Sequence, residues 1–260
     1  MSKIFTIASG SSGNCTFIGC GNNGILVDAG VSAKAITEGL TEIAFDPKNL
    51  SAIFVTHEHT DHINGLRVFS KKYNIPVFGS PETLNEVTCC TGMEEDLLNP
   101  FETTVEVDNM KITRFATSHD CAGSSGYTVV LPDGKKCAVC TDLGFVSEEV
   151  RQALKGSAAI VFESNHDVNL LHKGTYPEHL KRRILSDKGH LSNNACAVEL
   201  PKLVENGTTR IILGHLSREN NRPEIARNSA VAALMDNRMK ENDDYLLYIA
   251  PPKLGKAVLF

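Results

Sequence analysis

A loop that follows an apolar stretch concentrates three histidines and an aspartate. The run AIFVT ends at Thr56, and His57, His59, Asp61 and His62 follow within HEHTDH. A loop leaving a strand end can turn several such side chains toward one point, whereas a regular helix or strand with this spacing cannot. Neutral imidazoles together with a carboxylate suit zinc, manganese or iron. A polar helix start is the alternative interpretation, and the density of ligands favours a metal site.

The tetrapeptide Gly-His-Leu-Ser occurs twice, in GHLSNN at 189–194 and in GHLSRENN at 214–221. The preceding residues differ, ILSDK in the first copy and RIIL in the second, so the pair is not the remnant of a repeat unit. The first copy stands before a predicted helix, and the second closes a predicted strand. We therefore expect different roles for His190 and His215.

Short apolar runs along the chain predict the framework that must position these residues. The runs are rich in Val, Ile and Phe and are separated by Gly, Asn or Asp, as in strands. They are IFTIA (4–8), TFIG (16–19), GILVDAG (24–30), AIFVT (52–56), VEVDNMKITRFAT (105–117), GYTVVL (126–131), CAVCTD (137–142), AIVFES (159–164), RIILGH (210–215) and YLLYIA (245–250). Several candidate ligands stand at the ends of these runs.

Capping residues predict three helices. The segments are 147–156, 192–207 and 222–240. The first has Ser147 as its N-cap and acidic residues in its first turn. The second begins with a serine cap and ends at Gly207, and the third opens with Pro223 and is amphipathic.

The order of these elements predicts the fold class. Strands come first, and strands and helices then alternate, in two passes of comparable length. This order favours an α/β (α+β) arrangement of two packed sheets with helices outside, a four-layer αββα sandwich. No linker rich in Pro, Ser or Gly divides the chain, so we expect one domain over residues 1–260.

Composition and charge exclude several classes of protein. An apolar content of 42% and a charged content of 22% are typical of a globular enzyme, and no apolar run approaches the ~18 residues that a membrane span needs. A net charge of −5 argues against a protein that coats nucleic acid. The apolar stretch at the N-terminus is too short for a signal peptide, so we expect a cytoplasmic location.

The eight cysteines are expected to be reduced and structural. Cys137 and Cys140 form a CxxC, but the run around them predicts a strand, and residues three apart on a strand face opposite sides. Neither a zinc knuckle nor a redox pair is therefore expected from this motif.

The HEHTDH motif resembles the HxHxDH signature of the metallo-β-lactamase superfamily, whose αββα fold agrees with the one predicted above. Other ligands of that family have counterparts in order along the chain, in FATSHDCAGSSGY, CAVCTDLG and RIILGH. The resemblance implies two divalent ions, zinc or else manganese or iron. Their ligands would be His57, His59 and His119 for the first ion and Asp61, His62 and His215 for the second, with Asp142 bridging both.

The implied metal pair indicates a hydrolase. Two such ions would lower the pKa of a water molecule, share the resulting hydroxide and polarise the group under attack. Asp61 would orient that water and accept the proton that it loses, as the family's motif aspartate does. This chemistry suits phosphodiesters, thioesters and β-lactams alike, so the ligands alone do not select the substrate.

The residues around His119 favour a phosphodiesterase. Glyoxalase-II-like thioesterases usually have a Pro-Gly-His-Thr-type sequence there, whereas SHDCAGSSGY is similar to phosphodiesterase branches that include ribonuclease Z. Those branches also have an acidic residue at a later strand end, matched by Glu163, and a His-Ser/Thr motif, matched more loosely by His190. We expect His190 to be a general acid or a phosphate clamp that Glu163 orients. The alternative is that His190 only packs at a helix start.

The YycJ/WalJ branch of the superfamily shows a closer resemblance, because it shares SGSSGN (9–14), THEHTDHI, ESNHD and LKRRILSDKGHLSN (180–193). Its members resemble DNA exonucleases that act from 5′ to 3′. Candidate substrate contacts are Asn14, Asn165, His166, Lys181, Arg182 and Arg183, with a structural role or a solvated helix face as the alternative. His172 and His179 are expected at the surface.

We therefore predict a two-metal phosphodiester hydrolase that acts on nucleic acid, with DNA favoured and without membrane association. A small-substrate hydrolase, such as a thioesterase or lactonase, is the alternative enzyme. A nucleic-acid-binding protein with structural metals is the non-enzymatic alternative. No aromatic-rich stacking platform is evident, since Trp is absent and aromatics make up 6%. Nothing in the sequence specifies an oligomeric state.

Overall fold

Every apolar run predicted as a strand contains one in the structure, a computed structural model that describes residues 1–260. The strands are β1 (Ser2–Ala8), β2 (Cys15–Cys20), β3 (Asn23–Val27), β4 (Leu50–Phe54), β5 (Val77–Gly79), β6 (Leu98–Pro100), β7 (Thr104–Val107), β8 (Met110–Ala116), β9 (Ser125–Val130), β10 (Lys136–Cys140), β11 (Ala159–Glu163), β12 (Arg210–Gly214), β13 (Leu246–Ile249) and β14 (Val258–Leu259). The run 105–117 is a hairpin, because Asp108 and Asn109 have φ angles of 47° and 61° and turn the chain. β5, β6 and β14 are too short to show a sequence period, and the sequence does not predict them.

Nine α-helices accompany the strands. They are α1 (Ala33–Glu42), α2 (Thr60–Ile63), α3 (Leu66–Tyr73), α4 (Pro81–Thr91), α5 (Glu148–Leu154), α6 (Val168–Lys173), α7 (Glu178–Ile184), α8 (Asn193–Glu205) and α9 (Pro223–Asp236). The predicted caps are confirmed, since Ser147 and Ser192 each accept a backbone hydrogen bond of 3.2 Å. The predicted C-terminal bounds are too late, most of all for α9, where Arg238 has a φ of 61° and ends the helical path.

Two seven-stranded sheets packed face to face build the interior. Their strand orders are β14-β1-β2-β3-β4-β5-β6 and β13-β12-β11-β10-β9-β8-β7. An apolar core between the sheets contains Phe54 of β4, Tyr127 of β9 and Ile212 of β12. A second core packs α1, α3 and α4 on the first sheet, and a third packs α5, α8 and α9 on the other. The predicted αββα sandwich is confirmed.

Parallel strands bring the candidate ligands to one edge of each sheet. In the first sheet β3 and β4 are parallel neighbours, and Asp28 and His57 follow their ends. In the second sheet β10, β11 and β12 run parallel, and Asp142, Glu163 and His215 stand at or just after their ends. Because carboxyl ends of parallel strands meet at the same edge of a sheet, residues distant in sequence converge there.

The cysteines and the helices agree with two further predictions. Cys137 belongs to the core between the sheets and Cys140 to the core under the helices, so the two thiols do face opposite sides of β10. All eight cysteines are free thiols, but Cys89 and Cys90 are exposed, so the expected structural role is not supported for these two. None of the helices has the length and apolarity needed to cross a membrane.

Candidate metal centre

The short helix α2, which carries Asp61 and His62, is fixed by backbone contacts with two loops. The carbonyl of Asp61 accepts a hydrogen bond of 2.7 Å from Asn14, and the carbonyl of His62 accepts one of 2.9 Å from Ala29. Gly30 permits this approach, because a Cβ atom there would lie 1.6 Å from the Asp61 carbonyl oxygen. The backbone of α2 is therefore fixed by these two loops.

Three residues that follow strand ends share an uncommon backbone conformation. Asp28, Asp142 and His215 have φ angles of 62°, 60° and 56°. This left-handed region is uncommon outside glycine, although Asp and His adopt it more readily than most residues. Each residue turns the chain sharply where a strand ends, which directs its side chain toward the edge where the sheets meet. Strain of this kind is typical of functional sites.

The first cluster of candidate ligands is formed by His57, His59 and His119, whose nearest ring nitrogens all lie within 4.8 Å of one another. Nδ1 of His57 contacts Oγ1 of Thr56 at 3.0 Å, and Nδ1 of His119 donates to the carbonyl of Gly189 at 3.0 Å. These contacts leave Nε2 of both rings directed at the cluster. Nε2 of His57 lies 3.0 Å from Nδ1 of His59.

The second cluster is formed by Asp61, His62 and His215, again with ligand atoms within 4.8 Å. Nε2 of His62 lies 3.5 Å from a carboxylate oxygen of Asp61, and Nε2 of His215 lies 3.7 Å from the same oxygen. Asp142 stands between the clusters, with one oxygen 3.5 Å from His62 and the other 3.9 Å from His119. All seven residues that the sequence predicts as ligands are therefore brought together.

Asp28 is part of the site, although the sequence analysis does not identify it. Its Oδ2 accepts a hydrogen bond of 2.8 Å from Nδ1 of His62, and its Oδ1 accepts one of 2.8 Å from the backbone of Thr56. The first contact fixes the tautomer of His62 and leaves its Nε2 lone pair facing the cluster. A signal was present in the sequence, since Asp28 follows a strand in GILVDAG much as Asp142 does in CAVCTD.

Glu163 connects the two Gly-His-Leu-Ser segments. Its Oε1 accepts hydrogen bonds of 2.8 Å from Nδ1 of both His190 and His215. Its Oε2 accepts two backbone hydrogen bonds of 3.0 Å, from Leu143 and Leu191. Glu163 is completely buried, whereas the side chain of His190 is 16% exposed. His190 therefore faces the open side of the site from a rigid support.

The charges within the site show how strongly its carboxylates act on the histidines. Burial disfavours the protonated form of His62, but Asp28 and Asp142 outweigh burial and raise its pKa to about 9. Burial also opposes protonation of His215, and Asp142 and Glu163 again outweigh it and raise its pKa. The carboxylates thus create a negative potential that favours positive charge at this site.

The donor atoms fit a divalent cation. Oδ2 of Asp142 and Nε2 of His215 are buried and have no hydrogen-bond partner in the protein. Buried polar atoms are rarely left without a partner, so these two indicate a missing ligand. Imidazole nitrogens with carboxylate oxygens, and no thiolate among them, suit zinc, manganese or iron.

Four of the predicted substrate contacts lie inside the fold. Asn14 donates to a carboxylate oxygen of Asp61 at 3.2 Å, and Asn165 donates to the carbonyl of His215 at 2.8 Å. His166 is 1% exposed, and Lys181 is 8% exposed. The Nζ of Lys181 donates to the carbonyl of His172 at 2.9 Å. These contacts and this burial favour the alternative, a structural role, for the four residues, and their contact with substrate stays a prediction.

Arg182 and Arg183 do remain available at the surface, on helix α7. Arg182 makes no side-chain hydrogen bond or ion pair, whereas Arg183 pairs with Asp120, the residue after His119. His172 and His179 are exposed, as the sequence predicts.

Comparisons with known proteins agree with this geometry. A family model described as the metallo-beta-lactamase superfamily matches residues 8–215. The exodeoxyribonuclease YycJ of Bacillus anthracis is 36% identical, over 98% of this chain and 97% of that protein. The exodeoxyribonuclease WalJ of Streptococcus pneumoniae serotype 2 (strain D39) is also 36% identical, over 96% of this chain and 94% of that protein.

A solved structure shows the likeness in fold. The crystal structure of Zn(2+)-bound PqqB from Methylobacterium extorquens superimposes with a TM-score of 0.72, at 15% identity, over 99% of this chain and 100% of that one. Sequence and fold thus agree along nearly the whole length. The chain belongs to the metallo-beta-lactamase superfamily, in the family of the exodeoxyribonucleases YycJ and WalJ.

Proposed function

We propose that this protein is a two-metal-dependent exodeoxyribonuclease that hydrolyses DNA from 5′ to 3′. The observation that carries the proposal is the position of His190, which faces the ligand clusters while Glu163 holds its Nδ1 at 2.8 Å. A supported histidine beside the predicted ligands suits a reaction whose leaving oxygen needs a proton. The two full-length relatives, both named exodeoxyribonucleases, support DNA as the substrate.

The charge of the site supports two divalent ions. Four carboxylates lie in or directly behind the clusters, and none forms an ion pair with Lys or Arg. They are Asp28, Asp61, Asp142 and Glu163. Two divalent cations would balance these four negative charges. His57, His59 and His119 would hold one ion and Asp61, His62 and His215 the other, with Asp142 between them.

Four polar side chains around the candidate metal centre each have a role in this proposal. When bound, the metal ions lower the pKa of a water molecule and polarise the phosphoryl group. Asp61, whose side chain is 26% exposed, orients the attacking water and accepts its proton. Asn14 holds Asp61 in position. His190 donates a proton to the leaving oxygen from Nε2, because Nδ1 is occupied by Glu163.

We further propose that residues 1–260 act as one domain in the cytoplasm. The pairing of β14 with β1 joins the last strand of the chain to the first and supports one domain. The eight free thiols support a reducing compartment.

A nuclease assay with defined metals tests the proposal. The apoprotein is reconstituted separately with zinc, manganese and iron, and then given single- and double-stranded DNA and RNA labelled at the 5′ or the 3′ end. We expect metal-dependent release of mononucleotides or short products from the 5′ end of DNA, and weaker action on RNA. Cleavage of acyl thioesters or lactones in parallel assays, without cleavage of nucleic acid, would support the alternative hydrolase and refute the nuclease.

A further inference from the structure

Arg183 and Asp120 form an ion pair at the rim of the metal centre. Nη2 of Arg183 donates to Oδ1 of Asp120 at 2.8 Å, and Nε donates to the other carboxylate oxygen. Oδ1 of Asp120 lies 3.5 Å from Nε2 of His119, the ring nitrogen directed at the first cluster. The pair therefore borders the predicted metal ligands without belonging to either cluster.

The backbone around Arg183 is fixed against the same site. His190 donates a backbone hydrogen bond of 3.0 Å to Ile184, at the end of α7. A Cβ atom on Gly189 would lie 2.3 Å from the Arg183 carbonyl oxygen, so glycine permits this close turn. Gly189 in turn accepts the hydrogen bond from His119. Arg183, near the end of α7, thus lies next to the turn that carries His190, and its side chain contacts the loop that carries His119.

Much of this pair is open to solvent. The side chain of Arg183 is 46% exposed and that of Asp120 is 31% exposed. Nη1 of Arg183 has no hydrogen-bond partner in the protein. A solvent-exposed ion pair stabilises a fold only slightly, so breaking this one costs little. A guanidinium with free donors beside a phosphodiesterase centre matches a phosphate group, which it can bind with two parallel hydrogen bonds.

We propose that Arg183 binds a backbone phosphate of the DNA strand beside the scissile bond, and that Asp120 is the internal anion which this phosphate displaces. The inference rests on the proposed function and adds to it a specificity-determining pair. In the free protein Asp120 holds the guanidinium extended over the rim, which reduces the ordering needed on binding. Asp120 also competes with the phosphate, so weak or misplaced anions do not displace it.

Substitution of each partner predicts opposite effects. Arg183→Ala removes the phosphate contact, and we expect KM for a short DNA substrate to rise about tenfold or more with kcat little changed. Asp120→Asn removes the competing charge and keeps the shape, and we expect KM to fall several-fold. When Asp120→Asn is added to Arg183→Ala, it should not lower KM, because the guanidinium that it would release is absent. Arg183→Lys, which keeps the charge and loses the planar fork, should be intermediate.

A binding measurement without cleavage separates this role from catalysis. Fluorescence anisotropy of a labelled single-stranded oligonucleotide, with a phosphorothioate linkage that resists hydrolysis at the scissile position, gives Kd for each metal-loaded variant. Removing one phosphate contact should also reduce the slope of log Kd against log salt concentration by about one. Metal content of each variant is measured alongside, since Asp120 adjoins His119 and a loss of metal would raise KM for another reason.

A second ion pair of the same kind provides the matched control. Arg227 and Glu241 are joined at 2.6 Å, with side chains 40% and 27% exposed, on α9 and the segment after it. Arg227→Ala and Glu241→Gln should leave KM and Kd unchanged. If Asp120→Asn weakens binding as Arg183→Ala does, the pair is structural and the inference is wrong. If neither substitution changes KM or Kd, the inference is also wrong. If the unaltered protein neither binds nor cuts DNA, the proposed function fails and the inference fails with it.

Discussion

His190 and His215 donate hydrogen bonds, each 2.8 Å long, to the same carboxylate oxygen, Oε1 of Glu163. The two histidines belong to the two Gly-His-Leu-Ser segments, one in a loop before α8 and the other after β12. Their rings tilt toward one another with centroids 5.2 Å apart. Because one buried carboxylate orients both rings, a predicted metal ligand and the proposed acid are coupled through a single residue.

Replacing His190 with alanine should separate catalysis from metal binding. We expect both metal ions to stay bound, since the seven predicted ligands are untouched, and turnover to fall by about two orders of magnitude or more. Metal content by elemental analysis and single-turnover cleavage of labelled DNA measure the two effects. His172→Ala and His179→Ala, at exposed positions, serve as controls with unchanged turnover. Loss of a metal ion from the His190 variant would make His190 a ligand instead.

The leaving group distinguishes a general acid from a phosphate clamp. A p-nitrophenyl phosphodiester releases p-nitrophenolate, which needs no proton to leave, so an acid is dispensable for this substrate. If His190 is the acid, the loss caused by His190→Ala should shrink strongly with this substrate. If the loss is the same for both substrates, His190 acts as a clamp on the phosphate and the acid assignment is wrong.

Glu163→Gln should impair turnover and metal binding together. The amide keeps the size of the side chain but removes the charge that supports both histidines and presents NH groups to the site. We expect turnover to fall at least as far as in His190→Ala, and metal affinity to fall about 10- to 100-fold. Adding His190→Ala to this variant should cost little further activity, because the two residues act as a unit. Fully additive losses would show that Glu163 does not act through His190.

The candidate ligands, which the structure brings together, could be located from the sequence because their chemistry is dense and local. HEHTDH gathers four of them within six residues, and His119, Asp142 and His215 follow short apolar runs whose strands end at one edge. Strand ends depend largely on local composition, and each predicted run ends within three residues of the strand that it contains. The layers of the fold follow from the order of these strands and helices.

The contact of Glu163 with His190 was expected through the family resemblance, but other supporting contacts were not predictable, because they depend on pairs far apart in the chain. Asp28 meets His62 across 34 positions and Arg183 meets Asp120 across 63. The direction of a side chain on a helix decides whether a basic residue is buried or faces the site. Lys181 and Arg183 stand two residues apart on α7, yet the first turns inward to the carbonyl of His172 and the second outward to the rim. A run of basic letters carries no information about that difference.

Asp28→Asn should weaken the binding of one metal ion by changing the tautomer of His62. The asparagine oxygen can keep the hydrogen bond from the backbone of Thr56, so its NH₂ group faces Nδ1 of His62. Nδ1 must then accept, and the ring proton moves to Nε2, which loses its lone pair for the metal. We expect the affinity for one of the two ions to fall about 10- to 100-fold, measured by titration of the apoprotein against a chelator.

A carboxylate distant from the site provides the control for this variant. Asp133 accepts a hydrogen bond of 2.6 Å from the Ser2 hydroxyl and contacts no predicted ligand. Asp133→Asn should keep the metal stoichiometry and both affinities of the unaltered protein. If Asp28→Asn also binds both ions with unchanged affinity, the tautomer of His62 is not set by Asp28.

Glu199, which lies outside the candidate metal centre, should make the stability of the fold depend on pH. Its two carboxylate oxygens accept hydrogen bonds of 3.0 and 2.9 Å from Arg151, which joins α8 to α5. Burial alone would raise the pKa of Glu199, but the bonds from Arg151 and Lys202 outweigh burial and lower it below its usual value of 4.5. A pKa lowered by folding contributes stability above the unfolded value, and that contribution is lost as pH falls through the folded one.

Glu199→Gln should therefore lower the free energy of unfolding at neutral pH by about 1 kcal/mol. The difference from the unaltered protein should shrink as pH falls below 4.5, because Glu199 itself becomes protonated there. Urea unfolding of both proteins in EDTA, repeated across this range, measures the difference without the metal ions. Glu148 contacts the same arginine at 3.6 Å, but its side chain is 70% exposed, so Glu148→Gln should change stability less. A difference for Glu199→Gln that stays constant with pH would show that packing, and not the charge, accounts for the loss.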